Sequence, residues 1–460
     1  MAEAVKPRSW KRQRPLAILG PALMVSVGYM DPGNWATDIE GGARFGYSLL
    51  WVLLFSNAVA LLLQNLSARL GIVSGLDLAS ACREQYSQPV AYALWGLAEV
   101  AIIACDLAEL LGSAVALQLL FGFPLALGAA VTSLDVLLIL ALEQRGKSRL
   151  EALVFSLLAT IALCMLIEMC LARPSASAIM GGFVPHLNQE SLYIAIGILG
   201  ATVMPHNLYL HSGLCARVRH PDRARALRSS FWSTALALNL ALLVNAAILI
   251  LSAAVFHQRG MDVLDLKEAH RLLAPLLGNG LAPILFAVAL LCAGQSASIS
   301  GTLAGQLVME GFWRVRISPA LRRLITRALA LLPALSVLLI AGESSVMSML
   351  VASQVVLSLQ LPFAVVPLIR LTNSKALVGK HVSTSTTRVL AAACAVLIVL
   401  ANAALIANLI VELRESAPAA ALLLSAAGFG ALGLLCVVAR VPLRGDAAEE
   451  SCDEALSALR

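Results

Sequence analysis

Charge is scarce in this chain: charged side chains make up 13% of its 460 residues and hydrophobic ones 59%, where soluble domains carry roughly a quarter charged. That shortage excludes an ordinary soluble globular domain and makes a bilayer the expected solvent. The nine cysteines are dispersed, most of them within apolar runs, and no C-x-x-C pair occurs. Neither a disulfide framework nor a zinc ribbon is compatible with that spacing. No G-x-x-x-x-G-K-[ST] phosphate loop and no H-E-x-x-H ligand set is present, so neither ATP bound to this chain nor a resident catalytic metal is expected, and the chain does not read as an enzyme. The basic segment Lys6 to Arg14 runs into a full apolar span without a small-residue cleavage site, so the first helix is expected to stay. The formal charge of +6 comes from basic residues lying between hydrophobic spans, which speaks for membrane topology and against nucleic acid.

Apolar stretches of about 20 residues, long enough to cross a hydrocarbon core about 30 Å thick, recur from Leu16 to Val438. Hydropathy places twelve spans, at 16–41, 48–70, 90–120, 123–142, 152–172, 192–215, 231–256, 283–308, 324–341, 347–370, 388–412 and 418–439. Arg and Lys cluster in alternate connections: the N-terminal tail, Arg145 to Arg149, Arg217 to Arg228, Arg314 to Arg327, Arg370 to Arg388 and Arg440 to Arg444. The positive-inside rule then puts both termini in the cytoplasm of a multi-pass plasma-membrane protein.

The first and sixth spans share a mid-span Pro followed two residues later by Asn, in Met30-Asp31-Pro32-Gly33-Asn34 and Val203-Met204-Pro205-His206-Asn207. One such proline is an ordinary kink. Two at corresponding positions, five spans apart, predict that both helices break near the bilayer centre and that the second half is inverted relative to the first. The fold class is therefore all-α, a 5+5 inverted repeat with discontinuous helices 1 and 6. Its expected divisions are an N-terminal tail at 1–15, a transport core at 16–371 with repeats at 16–172 and 192–371, two additional helices at 388–439 and a tail at 440–460. That tail is too short for the signalling domain a metal sensor would need.

Unwound backbone at membrane depth must line a cavity or be buried in protein, so the breaks should carry the substrate site. A carboxylate there costs at least about 2.5 kcal/mol on insertion scales, and Asp31 has no basic neighbour in its own helix. A bound cation is the natural counter-charge. Asn34, one turn on, can add an amide oxygen, and the break frees backbone carbonyls, with that of Ala201 best placed. A thioether at Met204 selects a transition metal over magnesium or calcium, which prefer all-oxygen shells.

His206 and His211 are too far apart for a one-turn metal pair; either can pass a proton or be a satisfied structural histidine. Glu99, Asp106 and Glu109 share one face of the third span, as a proton relay or as a salt-bridged network whose cationic end is Arg322 and Arg323. Gln354 is either a neutral oxygen donor to the site or a packing amide. Asp135 and Glu168 read as boundary residues, and Asn239 and Asn245 have no assigned role.

These residues resemble the Nramp (MntH-type) divalent-metal transporters over nearly the whole chain. The likeness is carried by the run from Asp31 to Gly42, by Asp106-Leu107-Ala108-Glu109, and by the run from Gly200 to Ser212. The resemblance implies a leucine-transporter-like fold and uptake of manganese or ferrous iron, with cadmium as a further candidate, by proton symport. It assigns metal coordination to Asp31, Asn34, Met204, the Ala201 carbonyl and, in some conformations, Gln354. It assigns proton handling to Asp31, His206 and Glu109 with their neighbours Glu99, Asp106, Arg322 and Arg323; His211 joins that path in our reading. No cofactor is implied beyond the transported metal and the coupling proton, and a monomer is expected. One departure concerns the inner end of the proton path, where many bacterial relatives have an arginine seven residues after the second histidine and this chain has Val218. Magnesium-selective relatives lack the methionine that stands here at Met204. A sodium-coupled amino-acid or amine symporter of the same fold is the competing reading, against which Asp31 would repel a substrate carboxylate.

Overall fold

The computed structural model describes residues 15–133, 147–217, 222–261, 263, 265–313 and 318–446. Among them every regular element is helical. We number the helices α1 (Pro15–Ser26), α2 (Pro32–Phe45), α3 (Leu50–Ser74), α4 (Leu78–Gln85), α5 (Gln88–Phe121), α6 (Leu125–Thr132), α7 (Lys147–Ala172), α8 (Gln189–Thr202) and α9 (Pro205–Ala216). There follow α10 (Arg223–Val255), α11 (Leu266–Leu277), α12 (Ala282–Trp313), α13 (Pro319–Ala341), α14 (Val346–Gln360), α15 (Pro362–Asn373), α16 (Ser385–Ser416) and α17 (Pro418–Arg440). Nine helical segments among the described residues are long and apolar enough to cross a bilayer, with shorter apolar helices at Gly20–Met30 and Leu324–Leu338. The second part of the expected fourth span, including Asp135, lies outside the described residues.

Burial separates the centre from the rim. In Gln189–Ala216, which contains α8 and α9, 89% of the most apolar window is buried, against 28% for Ser385–Arg414 and 11% for Pro418–Asp446. Leu422, Leu423 and Phe429 of α17 are accordingly exposed, as lipid-facing side chains are when no bilayer surrounds them. The segments carrying the two motifs therefore lie inside the bundle, and α16 and α17 flank it.

Both expected breaks are present, and each lies just before its proline. The α1 helix tightens into a 3₁₀ turn over Val27–Met30, Asp31 is extended at φ −68°, ψ 167°, and Pro32 opens α2. Likewise α8 ends at Thr202, Val203 and Met204 are non-helical, and Pro205 opens α9. Proline at the first helical position lacks only an N–H that would have no intrahelical partner, so it starts the second half-helix at no hydrogen-bonding cost. At Pro362, by contrast, Leu361 remains right-handed helical and its N–H bonds Leu357 at 3.0 Å, so the tenth span is continuous in conformation.

Glu168 is a correction to the sequence reading. It is not a boundary residue at the water interface: it is fully buried in α7, and both its carboxylate oxygens lack a hydrogen-bond partner. The reason is facial. Leu150, Val154, Ile161, Cys164 and Met165 mark the one buried stripe of an otherwise exposed helix, and Glu168 continues it at helical spacing.

Candidate metal centre

Asp31 caps α2 with its own side chain. Its Oδ1 accepts from the Asn34 backbone N–H at 2.8 Å and from Asn34 Nδ2 at 2.8 Å, while Oδ2 is buried without a partner. Asn34 Nδ2 also donates to the Ala201 carbonyl at 3.1 Å, across from the second break. A single amide –NH₂ therefore bridges a carboxylate and a free main-chain carbonyl, two acceptors that would otherwise face each other in a dry site. An ammonium-like donor and a metal ion answer the same electrostatic demand there, and rotation of the Asn34 amide would turn its oxygen towards the same point.

Met204 is fully buried beside this bridge in sequence, and its Sδ accepts from Asn207 Nδ2 at 3.7 Å. The two motifs interlock further. A Cβ on Gly28 would collide with the Asn207 amide, and one on Gly33 would collide with the Gln354 amide, so glycine at both places is what lets these side chains reach the broken segments. Gln354 is buried, its Nε2 donates to Ser353 Oγ at 3.0 Å, and its Oε1 has no partner. The structure thus gathers Asp31, Asn34, Ala201, Met204 and Gln354 around the two breaks, with two unpartnered oxygens, Asp31 Oδ2 and Gln354 Oε1. One carboxylate, one amide oxygen, one carbonyl and one thioether suit a cation of intermediate softness.

The two histidines have separate surroundings. His206 Nε2 lies 3.8 Å from Cys105 Sγ, which in turn lies 3.5 Å from Glu109 Oε1, and Cys105 packs in one buried cluster with Met204. His211 Nδ1 meets Gln64 Oε1 at 2.9 Å, Gln64 Nε2 donates to the Tyr29 hydroxyl at 2.9 Å, and Asn245 Nδ2 bonds both the Tyr29 carbonyl at 2.7 Å and Asn34 Oδ1 at 3.3 Å. His211 is therefore joined to Asn34 through Gln64, Tyr29 and Asn245.

Two arginines of α13 lie against the acid-bearing face of α5. Arg322 Nη2 donates to both oxygens of Glu99, at 3.0 and 3.1 Å. Arg327 lies 3.6 Å from Glu109 and donates to the Asp106 carbonyl at 3.3 Å and to Ser298 Oγ at 2.7 Å. Arg322 thus meets Glu99, as the salt-bridged alternative expected. The side chain of Arg323 lies outside the described residues, and Arg327, not singled out from the sequence, is a cation beside Glu109. A guanidinium inside the apolar run Leu324 to Leu332 was the available signal, since such a charge must face a partner. Cys105, Gln64 and Tyr29 carried no signal of their own, because a thiol, an amide or a phenol in an apolar helix is ordinary packing until its neighbours are known. Val218 lies outside the described residues; the adjacent Arg217 lies 3.6 Å from Glu310.

Comparison with known proteins follows this geometry. Residues 22–408 match the family described as natural resistance-associated macrophage protein-like, Nramp. A protein of Xanthomonas campestris pv. campestris named divalent metal cation transporter MntH is 55% identical over 379 residues, covering 80% of this chain and 85% of the relative. The Dictyostelium discoideum protein named natural resistance-associated macrophage protein 2 homolog is 51% identical over 370 residues, covering 79% of this chain and 59% of that protein. Among solved structures, a manganese transporter of Eremococcus coleocola superposes with a TM-score of 0.84 at 35% identity, over 94% of this chain and 95% of that one. Mhp1, a nucleobase-cation-symport-1 family transporter, superposes with a TM-score of 0.58 at 14% identity, over 92% and 93% of the two chains, a likeness of fold alone. The all-helical bundle, its leucine-transporter-like arrangement with paired broken helices, and a family match spanning most of the sequence agree: this chain is a multi-pass membrane protein of the Nramp family.

Proposed function

We propose that the protein takes up divalent transition-metal ions, manganese first and ferrous iron and cadmium as further cargo, by alternating access coupled to proton symport. The observation that carries this reading is the Asn34 amide bridging Asp31 Oδ1 and the Ala201 carbonyl with Asp31 Oδ2 left unpartnered. An arriving cation replaces the amide –NH₂ between those oxygens, Asn34 turns its oxygen inward, and Met204 supplies the soft donor that magnesium and calcium do not favour. Gln354 completes the shell from α14. Related proteins named as divalent metal cation or manganese transporters support the same cargo.

Metal binding displaces a proton from Asp31, and a route leads away from it through His206 and Cys105 to Glu109, Asp106 and Arg327, with Glu99 and Arg322 at its far end; His211, held by Gln64, is a further proton acceptor. The transport core is residues 16–371, in which α1–α2 and α8–α9 move against the remaining helices, with 388–439 as two flanking helices. The working protein is a monomeric carrier in the cell membrane, with both termini in the cytoplasm, and catalyses no chemical conversion.

The test is a metal panel in proteoliposomes with a simultaneous internal pH readout. Manganese uptake accompanied by acidification is expected, with uptake rising when the outside is made acidic. Uptake of radiolabelled amino acids in place of manganese would reject the cargo, and manganese entry without acidification would reject the coupling.

A further inference from the structure

Asp38 takes no part in the site described above. It is fully buried on α2, and among the described residues neither carboxylate oxygen has a hydrogen-bond partner. It lies one turn beyond Asn34 and seven residues beyond Asp31, about 6 and 10.5 Å along the helix axis at 1.5 Å per residue, so the three side chains form one ladder on neighbouring faces of α2. Gly41 and Gly42, the next positions of that face, abut Ile198 of α8 and Leu249 of α10 respectively. Helical geometry then directs Asp38 into the seam between α8 and α10. On the α10 side, Asn245 is 2% exposed, holds Asn34 through its amide N–H groups, and leaves its own Oδ1 unpartnered.

A buried carboxylate without a partner is costly unless another state of the protein gives it one. We propose that Asp38 is an outer cation station: when α2 and α8 part from α10, a hydrated divalent cation is held by Asp38 before it passes one turn along α2 to Asp31 and Asn34. The station is all-oxygen and therefore receives hard and borderline divalent ions alike, whereas selection against the hard ones is made at Met204. This inference rests on the transport function proposed above.

The test uses Asp38→Asn, Asp38→Ser and the charge-retaining Asp38→Glu in proteoliposomes, together with equilibrium ⁵⁴Mn²⁺ binding to the detergent-purified full chain. Removing a steering charge predicts a KM for manganese raised on the order of tenfold, with the maximal rate within about twofold of the unmodified protein, and with Asp38→Glu restoring KM to within about threefold. In an Asp31→Asn background, residual weak binding should persist and disappear when Asp38→Asn is added. Wild-type uptake with an unchanged KM in both neutral variants, or a KM raised equally by Asp38→Glu, overturns the station alone. Absence of wild-type manganese uptake overturns the transport reading and the station with it.

Discussion

Asn34 Nδ2 and the Ala201 carbonyl are hydrogen-bonded at 3.1 Å across 167 residues of sequence, and this bond joins the helix that follows the first break to the helix that precedes the second. The same nitrogen holds Asp31 Oδ1 at 2.8 Å. One side chain therefore places a donor between two acceptors, so that neither is left unsatisfied.

Asp31→Ala should reduce manganese uptake into proteoliposomes by at least about 100-fold, since it removes the carboxylate where even supporting residues of metal sites are worth 10- to 100-fold. Full retained uptake would refute the assignment of Asp31.

Met204→Ala removes the soft donor and leaves the oxygens. Manganese affinity is expected to fall roughly tenfold while calcium and magnesium become effective competitors. Competition assays read this directly, and an unchanged competition profile would show that the sulfur does not select.

Gly33→Ala places a methyl group against the Gln354 amide. Overpacking of this kind costs about 1–3 kcal/mol, and it should appear as a lower thermal midpoint of the purified protein and as reduced uptake. Adding Gln354→Ala should recover the midpoint in part, because the two side chains share one space. Additive losses would mean that they do not meet.

Arg327→Ala removes a guanidinium that lies 3.6 Å from Glu109 in a buried setting, where Arg327 and Glu109 are 3% and 0% exposed. Removing one partner of a buried pair is expected to destabilise by about 3–5 kcal/mol, and Arg327→Ala combined with Glu109→Gln should be milder than the single arginine change. Arg322→Ala should cost less, since its partner Glu99 is partly exposed and water can take the place of the lost cation. The reverse order would mean that the ion pairs do not govern stability.

Much of this molecule was legible in one dimension. Spans follow from apolar length and the paired breaks from Asp31-Pro32-Gly33-Asn34 and Met204-Pro205-His206-Asn207, because proline acts on the residues beside it whatever the rest of the chain does. Asp31 was legible as well, since a mid-membrane carboxylate announces its own cost. Glu168 was misread because its surroundings depend on which stripe of α7 is covered, and Arg327 was passed over because nothing in the sequence says which side of a helix meets Glu109.

By itself, then, the sequence determined that the chain spans a bilayer in two inverted halves and that each half interrupts one helix around groups fit for a cation, all consequences of local backbone chemistry and transfer free energy. Only the tertiary structure decided which partners those groups meet: Asn34 with Ala201, Gln354 with Gly33, Arg327 with Glu109, and Asp38 with none. Such pairings are set by the packing of helices distant in sequence, where contact depends on rotation and depth that no local pattern encodes.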